Sequence, residues 1–376
     1  MAITIGIDGN EANEREKVGV HQLAYNLLWS IKKINDRAEN PDNFVIYLKR
    51  DPNKSLPTEN SFWKYKIISG GRLWIIRCLM PTLWREKKID VFFAPSHYLP
   101  PLLKIPAVCA ITDLGYLKFS GLFRKYDFWQ LKYWTAISIF ISKYIIAISE
   151  STKNDIVRHY PFASKKVKTV YLGYDKGRFN TKISPNLVRR TKKRYKIDSD
   201  YLLFIGTLRP NKNIEGLLEA FSLIRRKNYK IKLVIAGKRG WFYDSIFRKT
   251  KELGLERNVI YTDYVDESEK PYLIKGARTF VLPSFWEGFG LDVISALACG
   301  VPVVISSTGS LPEVGGNAAI YVDPYKSESI ASGIEKVLNL GTKEYNDLVH
   351  AGFAQVAKFS WEESAKKTLE IIKNAV

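Results

Sequence analysis

Residues Pro283–Val304 read PSFWEGFGLDVISALACGVPVV, and this stretch determines the fold expected around it. It predicts a loop with a single acid, Glu287, followed by a short helix and a buried strand. Gly288 and Gly290 allow backbone N–H groups to approach a ligand closely, and the positive end of the helix dipole points to the same place. A diphosphate that carries a hydroxylated group would suit this site.

A structural role explains part of the same stretch. The helix Leu291–Cys299 is mostly apolar, so its body is expected to be core. Glu287 differs, since an acid between aromatic and glycine residues at the end of a strand is expected to be functional. A helix places position 295 about 12 Å along the axis from Glu287, so the two positions can touch different parts of one ligand.

Short apolar strands alternate with helical patterns on both sides of a turn-rich, charged stretch, Leu172–Asp200. Strands that are apolar throughout and separated by helices predict parallel sheets covered on both faces. The strands predicted in the first half are Ile3–Asp8, Phe44–Leu48, Val91–Ala94, Ala107–Thr112 and Ile145–Ser149. Those predicted in the second half are Tyr201–Gly206, Lys232–Gly237, Val259–Tyr261, Thr279–Leu282 and Val301–Ile305.

These patterns predict an α/β protein with two Rossmann-like domains, at 1–180 and 195–357. Ligands of such sheets bind at the carboxyl ends of the strands, here in a cleft that the two domains face. The final helix, within 358–376, is expected to pack back on the first domain. A chain of 376 residues is long enough for two such domains.

The composition indicates a folded protein of a reducing compartment. Three cysteines lie far apart, and four scattered histidines suggest no metal cluster. The N-terminus lacks a signal-peptide pattern and no apolar run is long enough to span a membrane, so we expect a cytoplasmic protein, soluble or peripheral on a membrane. The net charge of +20 is compatible with nucleic acid, an anionic membrane surface or phosphorylated small molecules as partners.

Two stretches, Arg72–Lys88 and Phe119–Tyr144, mix aromatic residues with cations. This mixture suits a membrane interface or a polyanionic acceptor. It equally suits helices whose aromatic side chains are core and whose lysines are solvated, and the core interpretation is the favoured one.

The segment around Glu287 resembles the signature of the family 4 retaining glycosyltransferases, whose two Rossmann-like domains form the GT-B architecture. That family has a second Glu eight residues after the first, and here the position is Ser295. The resemblance implies that Glu287 holds sugar hydroxyls and that Ser295 touches the ribose. The backbone around Phe289, Gly290 and Leu291 would then hold the donor diphosphate.

Further resemblances cover nearly the whole chain. Tyr201–Asn213, YLLFIGTLRPNKN, resembles the strand and basic loop that open the second domain of that family. This implies that Lys212 and Arg209 neutralise the leaving diphosphate and that Gly206 and Thr207 line the donor. A solvated turn capped by an asparagine is the alternative.

Other parts of the donor and acceptor sites follow from the same resemblance. Tyr264 and Val265 resemble the segment whose backbone meets the base, and Gly19 matches a glycine near the donor phosphates. The family commonly has His-Asp-Leu where this chain has Thr112 and Asp113, which are candidate sugar contacts or a helix cap. Lys153 is a candidate acceptor contact.

The resemblance therefore implies a retaining hexosyltransferase, with mannosyl transfer a candidate. It would move a sugar from a GDP- or UDP-sugar to a hydroxyl of a glycan or lipid-linked acceptor, in the synthesis of cell-surface polysaccharide or glycolipid. No cofactor and no required metal are expected, and nucleic acid is not an expected partner. The alternatives are a relative that binds nucleotide sugar with little transferase activity, as Thr112 and Ser295 suggest, and a GT-B epimerase.

Overall fold

The computed structural model describes residues 2–227 and 229–376. Met1, which begins the predicted first domain, and Asn228, which falls in the predicted second domain, lie outside the described residues. The chain divides into two compact units. The first unit comprises Met1–Gly173 and Ser360–Val376, and the second comprises Tyr174–Phe359.

The first unit is built on a seven-stranded parallel sheet with the order β3-β2-β1-β4-β5-β6-β7. Its strands are β1 (Thr4–Asp8), β2 (Asn43–Leu48), β3 (Trp63–Ile67), β4 (Val91–Ala94), β5 (Ala107–Ile111), β6 (Tyr144–Ala147) and β7 (Val167–Thr169). Its helices before the second unit are α1 (Val20–Asn35), α2 (Met80–Arg85), α3 (Gly115–Lys118), α4 (Lys125–Ile141) and α5 (Glu150–His159). Strands β4 and β5 are buried at every position, as expected for a parallel sheet covered on both faces.

The second unit contains a six-stranded parallel sheet with the order β10-β9-β8-β11-β12-β13. Its strands are β8 (Tyr201–Ile205), β9 (Lys232–Ala236), β10 (Val259–Asp263), β11 (Thr279–Leu282), β12 (Val303–Ser306) and β13 (Ala319–Val322). Its helices are α6 (Pro185–Arg194), α7 (Ile214–Arg226), α8 (Asp244–Glu252), α9 (Lys270–Lys275), α10 (Leu291–Ala298), α11 (Leu311–Gly315), α12 (Ser327–Leu338) and α13 (Thr342–Val356). The predicted fold class, two Rossmann-like parallel-sheet domains, is confirmed.

The last helix, α14 (Trp361–Lys373), belongs to the first unit and packs on α1. The Nζ atom of Lys373 lies 2.7 Å from a carboxylate oxygen of Asp42. The Ser364 hydroxyl donates to the Tyr171 carbonyl at 2.5 Å. Because Ala365 and Ile372 are fully buried, this helix is part of the hydrophobic core of the first unit.

The observed boundary between the units lies after Gly173, ahead of the predicted gap between residues 180 and 195. The intervening segment packs with the second unit instead of forming a linker. Arg178 lies 3.7 Å from the Glu267 carboxylate, and the Tyr195 hydroxyl donates to Glu269 at 2.7 Å. These polar contacts had no recognisable sequence pattern, because their partners are about 75 to 90 residues further along the chain.

Among the described residues, no helix is long and apolar enough to cross a membrane.

Candidate functional site

Two loops of the second unit lie side by side because the strands that precede them, β8 and β11, are neighbours in the sheet. The amide of Phe285 donates to the Asn211 carbonyl at 2.9 Å, which joins the loops directly. Asn213 adopts a left-handed conformation before α7, and its buried side-chain amide donates to the carbonyls of Pro283 and Pro324 at 3.1 and 2.6 Å. Asn213 therefore ties loops together rather than capping a solvated turn.

The joined loops bring Lys212 and Glu287 into an ion pair. Lys212 Nζ lies 2.6 Å from one carboxylate oxygen of Glu287 and 2.8 Å from the other. The Ser284 hydroxyl donates to the first of these oxygens at 2.6 Å. Only 19% of the Lys212 side chain and 11% of the Glu287 side chain are exposed, so solvent screens this pair less than a surface pair.

Ser310 fixes the backbone at Glu287. Its amide and hydroxyl donate to the Glu287 carbonyl at 3.2 and 3.0 Å, and the same hydroxyl is 2.9 Å from the Phe289 carbonyl. These hydrogen bonds hold the main chain of Glu287, in addition to the contacts of its side chain. Ser310 is fully buried, so water does not compete for them.

Helix α10 begins immediately after this acid. Gly290 occupies the cap position with φ of 109°, a left-handed conformation that favours glycine. Among the described residues, no side chain caps the amides at this end of the helix. The first turn, which includes Leu291, therefore offers backbone N–H groups and the positive end of a helix dipole beside Lys212 and Glu287. The Phe289 ring instead packs edge-on against Phe359, with the ring centres 5.6 Å apart.

Ser295 is buried within α10, and its hydroxyl donates to the Leu291 carbonyl one turn earlier at 3.1 Å. Its proton is therefore used by the helix backbone. Asp292 lies three residues before Ser295 on the same face of the helix, and 30% of its side chain is exposed. Sequence reasoning missed Asp292, because an acid in the first turn of a helix is common for stability alone.

A buried lysine holds Asp292. Lys270 Nζ lies 2.5 Å from Glu267 and 3.7 Å from Asp292. Burial alone would lower the pKa of Lys270, but the two carboxylates outweigh burial and raise that pKa above its usual value. Lys270 thus stays charged and keeps a cation beside the start of α10.

The other predicted donor residues of the second unit lie in loops that follow β8 and β10. The guanidinium of Arg209 stacks over the Trp241 ring, 4.0 Å from its centre. Gly206 and Thr207 follow β8, where the Gly206 amide donates to the Ala236 carbonyl at 2.9 Å. Tyr264 and Val265 follow β10, and Val265 is buried. All these loops leave the carboxyl ends of neighbouring strands, β8, β9 and β10.

The remaining predicted residues belong to the first unit. Gly19 precedes α1 with φ of 49°. The carboxylate of Asp113 accepts from the Gly115 amide at 2.8 Å, a turn just before α3. Lys153 lies on α5, and its Nζ atom is 3.2 Å from Glu150.

Thr112 contacts a histidine that sequence reasoning missed. His97 Nε2 lies 2.6 Å from the Thr112 hydroxyl, and its Nδ1 lies 3.3 Å from the Thr135 hydroxyl. Burial lowers the pKa of His97, although the nearby Asp113 and Glu11 carboxylates act in the opposite direction. An imidazole is thus present next to position 112, supplied by the loop after β4. A lone histidine in a loop carries no pattern that would reveal this contact.

Within the ranges 2–227 and 229–376, no three or more His, Cys, Asp and Glu side chains are grouped so that they could hold a metal ion.

The comparisons with known proteins relate this chain to sugar-transferring enzymes. The family described as Glycosyl transferases group 1 matches residues 188–355. O-antigen chain mannosyltransferase B from Escherichia coli is 30% identical over 345 residues, which are 91% of this chain and 85% of that protein. The chain belongs to the glycosyl transferases group 1 and is a glycosyltransferase.

Solved structures show the same fold. The Anabaena protein HepE, in complex with UDP and glucose, superimposes with a TM-score of 0.76 at 14% identity, over 99% of this chain and all of that one. WaaG, a glycosyltransferase involved in lipopolysaccharide biosynthesis, gives a TM-score of 0.74 at 14% identity, over 98% of this chain and 99% of that one.

Proposed function

We propose that this enzyme is a family 4 transferase that moves a hexose, with mannose the first candidate, from a nucleoside diphosphate sugar with retention at the anomeric carbon. The observation that carries the proposal is the Lys212–Glu287 ion pair beside the open first turn of α10. The relative named as a mannosyltransferase supports the sugar. The UDP and glucose bound to a protein of the same fold support the donor class.

The cations and the helix start suit the leaving diphosphate. Negative charge develops on that group as the sugar departs, and preorganised donors lower the barrier when they point at this charge. Lys212 supplies a compact cation, Arg209 supplies a guanidinium held over the Trp241 ring, and the amides of α10 supply a partial positive charge.

Glu287 suits the sugar. A carboxylate accepts hydrogen bonds from hydroxyls, and its two oxygens here are already held by Lys212 and Ser284. Donor binding then draws Lys212 towards the diphosphate and leaves Glu287 oxygens for sugar hydroxyls. In this scheme the acceptor hydroxyl passes its proton to the leaving phosphate, so no separate general base is needed.

The nucleoside would be held further along the same loops. Asp292 joins Ser295 as a proposed ribose contact, since a carboxylate can accept from both ribose hydroxyls and the two residues share one helix face. The backbone of Tyr264 and Val265 is the proposed base contact. GDP and UDP remain the candidate nucleotides.

The acceptor is proposed to be a glycan or a lipid-linked saccharide used in cell-surface polysaccharide synthesis, as the name of the O-antigen relative suggests. Thr112, Asp113 and Lys153 are the proposed sugar or acceptor contacts of the first unit, and Gly19 is its proposed donor contact. We place the enzyme in the cytoplasm, at the inner face of the membrane. The net charge of +20 supports attraction to the anionic lipids of that face.

A nucleotide-binding panel tests the donor site. GDP, UDP and their sugar derivatives are titrated into the wild type, Lys212→Met and the control Lys227→Met, whose lysine pairs with Glu335 on the surface of the same unit. We expect either the GDP series or the UDP series to bind the wild type. Lys212→Met should lower the affinity for that series about 10- to 100-fold. Lys227→Met should bind as the wild type does. Absence of any nucleotide binding, or equal binding by all three proteins, would refute the donor site.

A further inference from the structure

One face of α4 exposes a continuous stripe of large apolar side chains. The stripe consists of Tyr126, Trp129, Tyr133, Ile137 and Phe140, all of them exposed, with Phe140 exposed to 70%. Their spacing of three or four residues places them on one side of the helix, along about 21 Å of its axis. Phe162 extends the stripe, since its ring centre lies 6.1 Å from that of Phe140. We call these six residues the α4 stripe.

The opposite face of α4 is anchored in the first unit. Thr135, Ser138 and Ile139 are buried, and the Trp134 indole donates to the Leu99 carbonyl at 2.8 Å. The stripe therefore lies on a helix whose opposite side already makes its own core contacts. Burial of this side means that the exposed aromatic side chains are not needed to hold the helix in place.

Cations lie over the rings of the stripe. The guanidinium of Arg72 is 5.4 Å from the centre of the Tyr126 ring. Lys132 Nζ is 5.0 Å from the centre of the Trp129 ring, and Lys166 Nζ is 5.8 Å from that of Phe162. Arg124 and Lys125 are also exposed at the start of the helix. None of the ion pairs between described residues involves Lys125 or Lys132.

We infer that the α4 stripe attaches the enzyme to the surface of a bilayer that contains anionic lipid. This deepens the proposed function and rests on it, since it names the surface by which a transferase with a lipid-linked acceptor would reach that acceptor. Tyrosine and tryptophan rings favour the boundary between headgroups and acyl chains, and flanking lysine and arginine bind lipid phosphates. Helix α4 would lie in the plane of the interface rather than cross it.

An acidic glycan or nucleic acid is a poorer fit to the same face. Such a polyanion would engage Lys132 and Arg72, but it would leave Ile137 and Phe140 with no apolar partner. A bilayer satisfies both the cations and the apolar side chains, because phosphate groups lie directly above hydrocarbon.

Vesicle flotation tests the inference with the full-length enzyme. Vesicles of phosphatidylcholine alone are compared with vesicles in which one third of the lipid is phosphatidylglycerol. The first variant replaces Trp129, Tyr133 and Phe140 with serine, and the second is Lys125→Gln with Lys132→Gln. The control is Phe62→Ser with Lys64→Gln, which removes an exposed ring and a cation before and within β3, at the other edge of the same sheet.

The wild type and the control should bind the anionic vesicles and not the neutral ones, with binding that weakens as salt is added. Loss of Lys125 and Lys132 should weaken binding about fivefold for each of these two lysines. The triple serine variant should lose at least tenfold at unchanged melting temperature. Failure of the wild type to bind anionic vesicles overturns the inference. So does equal binding by all variants, or tighter binding to an acidic polysaccharide or RNA than to the vesicles. The nucleotide panel is independent of these results, so the donor site stands or falls separately.

Discussion

Glu287 and Lys212 form an ion pair at the proposed donor site, and this pairing bears on how the proposed donor would bind. A diphosphate must compete with the Glu287 carboxylate for Lys212 Nζ, which lies within 2.8 Å of both carboxylate oxygens. Removing one member of a nearly buried pair leaves the other charge without compensation, which commonly costs several kcal/mol. An incoming phosphate can provide that compensation.

Glu287→Gln should therefore separate binding from transfer. We expect the variant to melt below the wild type without ligand, because Lys212 loses its partner. The free nucleoside diphosphate should bind it as tightly as, or more tightly than, the wild type and should raise its melting temperature by more. Differential scanning fluorimetry with and without nucleotide measures both effects. Weaker nucleotide binding by Glu287→Gln than by the wild type contradicts this competition.

Asp292 should contribute to recognition of the ribose. Asp292→Asn is compared with Asp244→Asn, because Asp244 is likewise an acid in the first turn of a helix, α8. The wild type should prefer a ribonucleotide over its 2′-deoxy form by about 10-fold or more, and Asp292→Asn should lose most of that preference. Calorimetric titration with each pair of nucleotides gives the ratio. Loss of the preference in Ser295→Ala, but not in Asp292→Asn, would return the contact to Ser295 alone.

Asp8, at the carboxyl end of β1, should make stability depend on pH. Burial is the main cause that raises the pKa of Asp8 to about 6, against hydrogen bonds from Asn10. The folded state thus binds this proton more tightly than the unfolded chain does. The resulting stability is present below the ordinary carboxyl pKa and is lost as pH rises through about 6.

Asp8→Asn removes this titration while keeping an acceptor for Asn10. Between about pH 5 and about pH 8, the variant should gain about 1 kcal/mol of stability relative to the wild type. Urea unfolding at the two pH values measures the change, and Asp198→Asn, at an exposed position, is the control. If the difference in stability between Asp8→Asn and the wild type stays constant or shifts in the opposite direction between the two pH values, Asp8 ionises in the folded protein at no cost.

At the scale of elements, the loops of the proposed donor site are positioned by close contacts between strand ends. Gly237 follows β9 with φ of 149°, and a Cβ atom there would overlap the Gly206 carbonyl oxygen. Gly206 in turn begins the loop that carries Lys212. The close approach of the Gly237 and Gly206 backbones therefore positions both the strand ends and the loop of Lys212.

Gly237→Ala should disturb the site as well as the fold. Gly254→Ala is a matched control, because its φ of 63° is also positive but open space surrounds the added Cβ. The control should cost about 1 kcal/mol from its backbone conformation alone. Gly237→Ala should lower the melting temperature further and weaken nucleotide binding. The two variants are compared by thermal melting and by nucleotide titration. If Gly237→Ala and Gly254→Ala change the melting temperature and the nucleotide affinity equally, a structural link between the strand ends and the site is contradicted.

Sequence patterns predicted the central strands and missed three strands at sheet edges. Strands β8 and β11 are buried throughout, so their continuous apolar runs were visible in the sequence. The missed strands β3, β7 and β13 are edge strands with exposed polar or aromatic positions, so no such run marks them. Edge strands are short and half-solvated, and they lack the composition of a buried parallel strand.

The candidate site was predictable only where local pattern and chemistry coincide. Glu287 was expected from its own loop, whereas Lys212 was expected only from the family resemblance. The sheet order brings the two loops together. Asp292, Lys270 and His97 were missed, because their significance comes from contacts across the fold. Long-range side-chain contacts leave no periodic signal in a single sequence.

At the scale of the whole molecule, the chain forms two Rossmann-like units, and its last helix belongs to the first unit. Helix α14 returns to the first unit after the second is complete, so the first unit needs both ends of the chain for its core. The sequence predicted this return, while the boundary between the units lies earlier than expected. The excess of positive charge over the whole chain agrees with the proposed phosphorylated donor and the proposed anionic surface.

The most direct test of the central claim, that Glu287 and Lys212 form the donor site of a retaining transferase, is turnover of nucleotide sugars. Release of nucleoside diphosphate is measured for the wild type and Glu287→Gln with a panel of GDP- and UDP-hexoses. The anomeric configuration of the product is read by NMR. We predict that the wild type turns over one donor with retention and that Glu287→Gln is slower by about 100-fold or more. An inverted product, or a Glu287→Gln rate equal to that of the wild type, would contradict the account.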